Sequence, residues 1–327
     1  MTRARRHINI SLLLAVIVLL SPSFLLSACS SGDDGMNEPT PQENQEIRFN
    51  PGVWNFMEGT RASTFDSNED LQAGTFKCYA YEDGTTNLYI DGSTVSYSNP
   101  QWTFNDGKHY WPMTGSLNFF AFMPAGLENT FCTFDPTVYD SSTNPDGYSE
   151  DSPRIVCTNL PVAITKGSDA SKELVVAYTA NQSKTGQGAS GVTLTFKHPF
   201  AKVKFKLAAA SGTNVKVNSI TIPSIKQNGI FAFNGTTPEW TLSGDDADFV
   251  LSGNPATDDD AFYLVIPNNY GSKTLTVNAT WSDWSNVTKD ISADVTFNWT
   301  AGYSYTYTLT LSKEALKVDV EKYTEQW

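Results

Sequence analysis

The sequence predicts an all-β protein of two tandem β-sandwich domains, and three features carry that expectation. Short runs at residues 76–81, 117–123, 174–178, 192–196, 203–207, 262–266, 275–280 and 303–311 are rich in β-branched and aromatic residues, and most alternate apolar with polar side chains. Turn-forming groups fall between the runs: Asp83-Gly84, Asp91-Gly92, Asn105-Asp106-Gly107, Asp146-Gly147, Asn228-Gly229 and Asn234-Gly235. No stretch carries a long helical apolar stripe, and residues 47–327 are more than one sandwich usually holds.

Taken from the amino end, the first segment reads as an export leader. Arg3, Arg5 and Arg6 form a basic head, residues 8–20 are apolar apart from Asn9 and Ser11, and Ser27-Ala28 supply small residues for cleavage. Residues 1–28 are therefore expected to be removed rather than folded. A transmembrane helix fits less well, because Pro22 closes the apolar run early. Leu26-Ser27-Ala28-Cys29 resembles a bacterial lipobox, which implies acylation of Cys29 and a lipid anchor on the outer membrane. Each buried CH₂ contributes about 0.8 kcal/mol, so two or three acyl chains hold a protein on a bilayer far more firmly than one. Residues 29–46 are polar, carry Pro39 and Pro41, and read as a flexible tether. Within it, Asp33-Asp34 fit equally an acidic signal for export to the outer face of the outer membrane and a plain solvated segment.

The leader holds three of the 22 basic residues; without it, 19 stand against 35 acidic ones, a net charge near −16. Such a surface has no electrostatic reason to bind phosphate backbones, which argues against a nucleic-acid partner. Cys78, Cys132 and Cys157 show no metal-ligand spacing. Cys78 and Cys132 lie in alternating strand-like sequence and are expected as buried free thiols, with room for at most one disulfide. No metal or other cofactor is expected.

Beyond the tether, Ile47, Phe49 and Val53 share one parity, so residues 46–56 read as a strand feeding one face into the first domain, residues 47–190. The run Asn-Gln-Ser-Lys-Thr-Gly-Gln-Gly-Ala-Ser-Gly at 181–191 has little to pack and marks the expected boundary, with Val192 opening the second domain, residues 191–327. At the carboxyl end Leu316, Val318 and Val320 alternate within residues 313–327, after a strand that ends at Leu311.

Five phrases in order, at residues 109–124 (HYWPMTGSLNFFAFMP), 192–207 (VTLTFKHPFAKVKFKL), 220–240 (ITIPSIKQNGIFAFNGTTPEW), 262–268 (FYLVIPN) and 299–311 (WTAGYSYTYTLTL), follow the lipobox. In this they resemble the fimbrillin family, the lipoprotein pilins of type V fimbriae. The resemblance implies two transthyretin-like β-sandwiches, export as a lipoprotein, and polymerisation with other pilin subunits into a surface fimbria that adheres to host or bacterial ligands. It also implies cleavage by an arginine-specific protease after an arginine that follows the first strand. Here the matching context is Glu58-Gly59-Thr60-Arg61-Ala62-Ser63, where small residues and a glycine let a loop enter a protease cleft. Cleavage between Arg61 and Ala62 would free the strand bearing Ile47, Phe49, Val53 and Phe56. By the family's donor-strand exchange, a strand of the next subunit then fills the groove. Leu316, Val318 and Val320 are the candidate donor residues, and they fit a last in-domain strand equally well. Stalk, tip and base roles all remain open on this reading.

Two other classes are weighed against it. An enzyme finds little support: His109 and His198 sit beside strand-like runs outside any metalloprotease motif, and no nucleophile elbow or phosphate loop occurs. The acidic phrases at 244–249 and 257–262 lack the spacing of a calcium loop and read as solvated turns. The alternative function is a surface glycan-binding outer-membrane lipoprotein, with Trp102, Trp111, Trp281 and Trp284 as rings to stack on sugars; core tryptophans are the competing reading.

Overall fold

Three β-sheets and one five-residue α-helix, Asn68–Gln72 (α1), account for most of the computed structural model, which describes residues 44–53, 67–126, 131–137, 153–165, 173–209, 214–232, 239–253, 255 and 261–326. The described residues belong to one compact unit starting at Asn44. The first sheet has the order Val192–Phe196 (β10), Phe49–Val53 (β1), Gln101–Phe104 (β4), Leu88–Ser98 (β3), Thr75–Glu82 (β2), Leu117–Met123 (β5), Val175–Gln182 (β9). Its end strands meet: Val176 N donates to Lys197 O at 2.9 Å and Lys197 N to Val176 O at 2.8 Å, so the sheet curls round until it closes at one bridge. Inside it lies a core of Phe49, Phe76, Phe119, Leu194 and Phe196 with their neighbours, plugged at one side by Leu71 of α1. Ser67 caps that helix by accepting from Asp70 N at 3.1 Å.

The carboxyl-terminal half packs two further sheets face to face. One runs Leu316–Gln326 (β18), Tyr303–Leu311 (β17), Ala201–Ala209 (β11), Ala261–Val265 (β14), Val162–Thr165 (β8). The other runs Val287–Trp299 (β16), Asn268–Trp281 (β15), Val215–Ala232 (β12), Arg154–Cys157 (β7), Cys132–Asp135 (β6), with Glu239–Ser252 (β13) on the other flank of β12. Their facing rows, Phe205, Tyr307 and Leu309 against Val277, Trp281, Phe297 and Trp299, form a second core. Trp299 Nε1 finds its partner within that core, donating to Tyr307 Oη at 2.9 Å.

A third buried cluster joins the two halves. Tyr79, Tyr81, Phe120 and Phe122 point outward from β2 and β5, but Ile155, Phe231, Phe262 and Leu264 cover them. That explains why Phe119-Phe120-Ala121-Phe122-Met123 is a continuous apolar run where alternation would suffice for a one-faced sheet: both faces are buried.

The fold is nearly all β, as the sequence predicts, with 68% strand and 4% helix. The partition of the chain between halves differs from the expected one. Val192–Phe196, expected to open the second domain, pairs in parallel with β1 and buries Val192, Leu194 and Phe196 in the first core. Strands β6, β7 and β8, expected in the first domain, join the sheets of the second half: β7 pairs with β12, β6 with β7, and β8 with β14. The 181–191 run is not a loose linker. Its small residues permit close approach: a Cβ on Gly188 would lie 2.5 Å from the Trp111 ring, and Gly191 adopts φ +109° beside Asn50. Cys132, expected as a free thiol, is bonded to Cys157, because the antiparallel register of β6 and β7 sets the two residues directly opposite. Cys78 is free and buried, and burial, with Asp106 nearby, pushes its thiol well above the ordinary range.

Candidate functional site

The site is the slot that holds β1. On one side β1 makes a full parallel ladder with β10, from Phe49 opposite Val192 to Val53 opposite Phe196. On the other side β4 meets it only at Phe49 opposite Trp102, and the irregular segment 108–111 continues the pairing. Ile47 N donates to His109 O at 2.8 Å, Trp111 N to Gln45 O at 2.9 Å, and Val192 N to Arg48 O at 2.7 Å. Asn50 Nδ2 donates to Ser190 O at 3.0 Å.

Ile47 and Phe49 are 2% and 4% exposed. The Phe49 ring meets Phe76, Phe104 and Phe119 edge-on, with centroids 5.6, 5.2 and 5.9 Å away. These two side chains anchor the strand. Its second half is weaker by composition, since Pro51 has no N–H to offer on the β4 side and Gly52 has no side chain to pack. A Cβ built on Gly52 meets nothing within 4 Å; Gly52 shares the outward parity of the exposed Arg48 and Asn50, so it leaves bare backbone on the outer face of the strand. Val53 lies in the ladder opposite Phe196. Phe56, Arg61, Ala62 and the lipobox Cys29 lie outside the described residues.

The candidate donor residues sit at the opposite end of the chain in β18, which pairs with β17 from Leu316 opposite Leu311 to Gln326 opposite Tyr303. Leu316 is buried and Val318 packs against the second core, whereas Val320 is 44% exposed. Strand β18 is the end strand of its sheet, so among the described residues one of its edges carries no pairing partner in that sheet.

Three of the four tryptophans read as sugar platforms are placed otherwise. Trp102, Trp111 and Trp281 are buried, Trp281 fully, so none can lay its face on a sugar; their apolar bodies contribute more as core. Residues 244–249, expected as a solvated turn, lie inside β13, and Asp246 pairs with Lys226 Nζ at 3.0 Å. Among the described residues no group of three or more His, Cys, Asp or Glu side chains could hold a metal ion.

The two histidines have different surroundings. His198 is buried between the halves with Glu173 and Lys202; burial first, and the Lys202 charge second, hold its imidazole well below the ordinary range and therefore neutral. His109 stands at the slot: its Nε2 lies 3.2 Å from both Ser93 Oγ and Asp106 Oδ1, while Ser93 Oγ donates to Asp106 Oδ2 at 2.7 Å. Partial desolvation pushes the Asp106 carboxyl up, but the hydrogen bonds from Ser93 and His109 outweigh it and set the carboxyl below its usual range. Sequence reading passed over the slot's other wall, β10, because a parallel partner 143 positions away leaves no local signal; its strict alternation at 192–196 marked a strand, not its neighbour.

A family profile described as fimbrillin-like matches residues 60–327. Among solved structures, a fimbrial protein from Bacteroides vulgatus is similar at 16% identity and a TM-score of 0.51, over 87% of this chain and 100% of that one. Two structures described as candidate cell adhesion proteins stand at the same TM-score: one from Bacteroides uniformis at 14% identity, covering 85% of this chain and 98% of that one, and one from Bacteroides ovatus at 15%, covering 87% and 98%. At such identities the likeness concerns the fold alone. No curated protein sequence matches the chain. The profile spans most of the sequence and includes every sheet except the first strand's contribution, and the chain belongs to the fimbrillin-like family.

Proposed function

We propose that this fimbrillin-like chain is a pilin: a structural subunit exported as a lipoprotein through Cys29, cleaved between Arg61 and Ala62, and joined to its neighbours at the cell surface by strand exchange at the β1 slot. Family membership supports a structural role in fimbriae. The observation that carries the finer reading is the character of β1. It is an interior strand that plugs the first core through Ile47 and Phe49, while Pro51 lacks an N–H and Gly52 a side chain, so its hold rests mainly on those two residues. An extended strand from another subunit with further apolar side chains on its inward face would be held there more firmly. Burial of Ile47 and Phe49 contributes about 3 to 6 kcal/mol, so an emptied slot would expose a costly groove and recruit a replacement. On this reading the slot accepts, and β18, as an end strand, is the segment this chain offers in return.

The test is to treat the purified precursor with an arginine-specific protease and follow amino-terminal sequence and size together. The expected result is a new terminus at Ala62 followed by association, with itself or with a second pilin, and an Arg61→Ala chain that stays folded and monomeric. A product cut at Ala62 that joins no pilin refutes the reading.

A further inference from the structure

His109, which belongs to no enzyme motif, lies where it can control the first strand. Its carbonyl accepts from Ile47 N at 2.8 Å, one of the few bonds on that side of β1. The segment 108–111 that presents the carbonyl is not part of a regular strand, so its position depends on what ties it down. Tyr89 Oη, donating to Tyr110 O at 2.7 Å, ties one end of it, and the His109 side chain ties the residue that carries the carbonyl. The imidazole meets Ser93 on β3 and Asp106 in the turn after β4, both at 3.2 Å, and Ser93 closes the triangle on Asp106 at 2.7 Å. The turn itself is fixed, with Asn105 N donating to Thr94 O at 2.9 Å and Gly107 at φ +113°. The imidazole also lies 4.3 Å from the Phe104 ring, which in turn lies 5.2 Å from Phe49. The three side chains thus reach β1 by two routes, through a backbone carbonyl and through an aromatic contact. Because His109 Nε2 faces Asp106 on one side and Ser93 on the other, the arrangement is not that of a nucleophile activated by a base, and it has no hydrolytic reading.

We infer that Ser93, Asp106 and His109 form a clasp that sets how readily the first strand leaves its slot. They are positioning residues: each acts by holding the His109 carbonyl and the Phe104 ring against the strand in the slot. The inference rests on the proposed exchange for its purpose, but the clasp itself can be measured in the uncut chain.

The experiment is residue-resolved hydrogen exchange on the purified, intact protein, comparing wild type with S93A, D106A, H109A and H109Q. Loss of a hydrogen bond to a charged group should make the Ile47 and Trp111 amides exchange about tenfold faster in D106A and H109A. S93A, which leaves the histidine-carboxylate contact in place, should show a smaller acceleration. H109Q should stay near wild type, because the glutamine amide nitrogen can stand where Nε2 stands. Amides of β17, in the other half of the molecule, should be unchanged. Unchanged exchange at Ile47 in all four variants, or equal acceleration across both halves, overturns the clasp; a D106A chain that does not fold leaves the decision to the H109A and H109Q pair. The same samples are then cut after Arg61 and followed by size. A wild-type strand that never leaves, with selective acceleration in the variants, overturns the exchange reading and supports the clasp; a strand that leaves with unchanged exchange does the reverse.

Discussion

Replacing Phe49 by alanine should undock the first strand while the rest of the protein stays folded. Phe49 is 4% exposed and meets three other rings within 5.9 Å, in a row of side chains that β10 and β4 close from either side. Truncating such a residue costs about 3 to 5 kcal/mol through lost burial and the cavity left behind. The strand's other anchor, Ile47, contributes about 1.5 to 3 kcal/mol, so the substitution removes most of what holds the strand. The second core, built from β11 to β18, contains no residue of β1 and should not feel the change. Native-state hydrogen exchange reads this directly: protection of the Ile47, Trp111 and Val192 amides, which all depend on the seated strand, should fall by about a hundredfold or more, while Leu309 in β17 keeps its protection. Wild-type protection at Ile47, or equal loss at Ile47 and Leu309, would refute the idea that β1 is held as a separate, removable element.

The opposite change is expected from Gly52→Ala. Its backbone is free of positive φ and its Cβ would meet nothing within 4 Å, so alanine should seat the strand more firmly by about 0.5 to 1 kcal/mol and raise protection at the Val192 amide. Converting both Cys132 and Cys157 to serine releases a cross-link spanning 25 positions, worth about 3.5 kcal/mol by chain entropy, and the urea midpoint should fall accordingly. For His198 the folded protein resists a proton that the unfolded chain takes up near its ordinary value of 6.5. Stability contributed by this group is therefore complete above that pH and is lost on acidification below it, by up to about 1.4 kcal/mol per pH unit. Denaturation at pH 7.5 and pH 5.0 should show the loss in wild type and a smaller one in His198→Gln.

Much of the fold could be read from residues because its signals are local. Alternation at 192–196 and 275–280, and Gly-containing turns such as Asn105-Asp106-Gly107, depend on a few neighbours, and the structure keeps them as β10, part of β15 and a turn. What could not be read is which strands share a sheet. Strand β10 has the same period-two pattern whether it faces β1 or opens a new domain, and only the closure of the first sheet at Val176 and Lys197 decides the matter. Likewise Cys132 looks like any buried thiol until β7 is laid against β6. At the site, the parity of Ile47 and Phe49 announced a buried face, and both are buried. The clasp had no sequence signal beyond a histidine after a turn, because Ser93 comes to it from another strand through the β3 and β4 pairing.

The most direct test of the account is the fate of the first strand after cleavage between Arg61 and Ala62. Native mass spectrometry counts whether the amino-terminal fragment carrying Ile47 and Phe49 stays with the body, and hydrogen exchange at the Val192 amide, whose acceptor is Arg48 O, reports whether the slot is filled. The account predicts that the fragment leaves, that Val192 loses protection in the isolated body, and that protection returns when another pilin subunit is added. A fragment that stays bound, with Val192 protected as before and no subunit taken up, would contradict it.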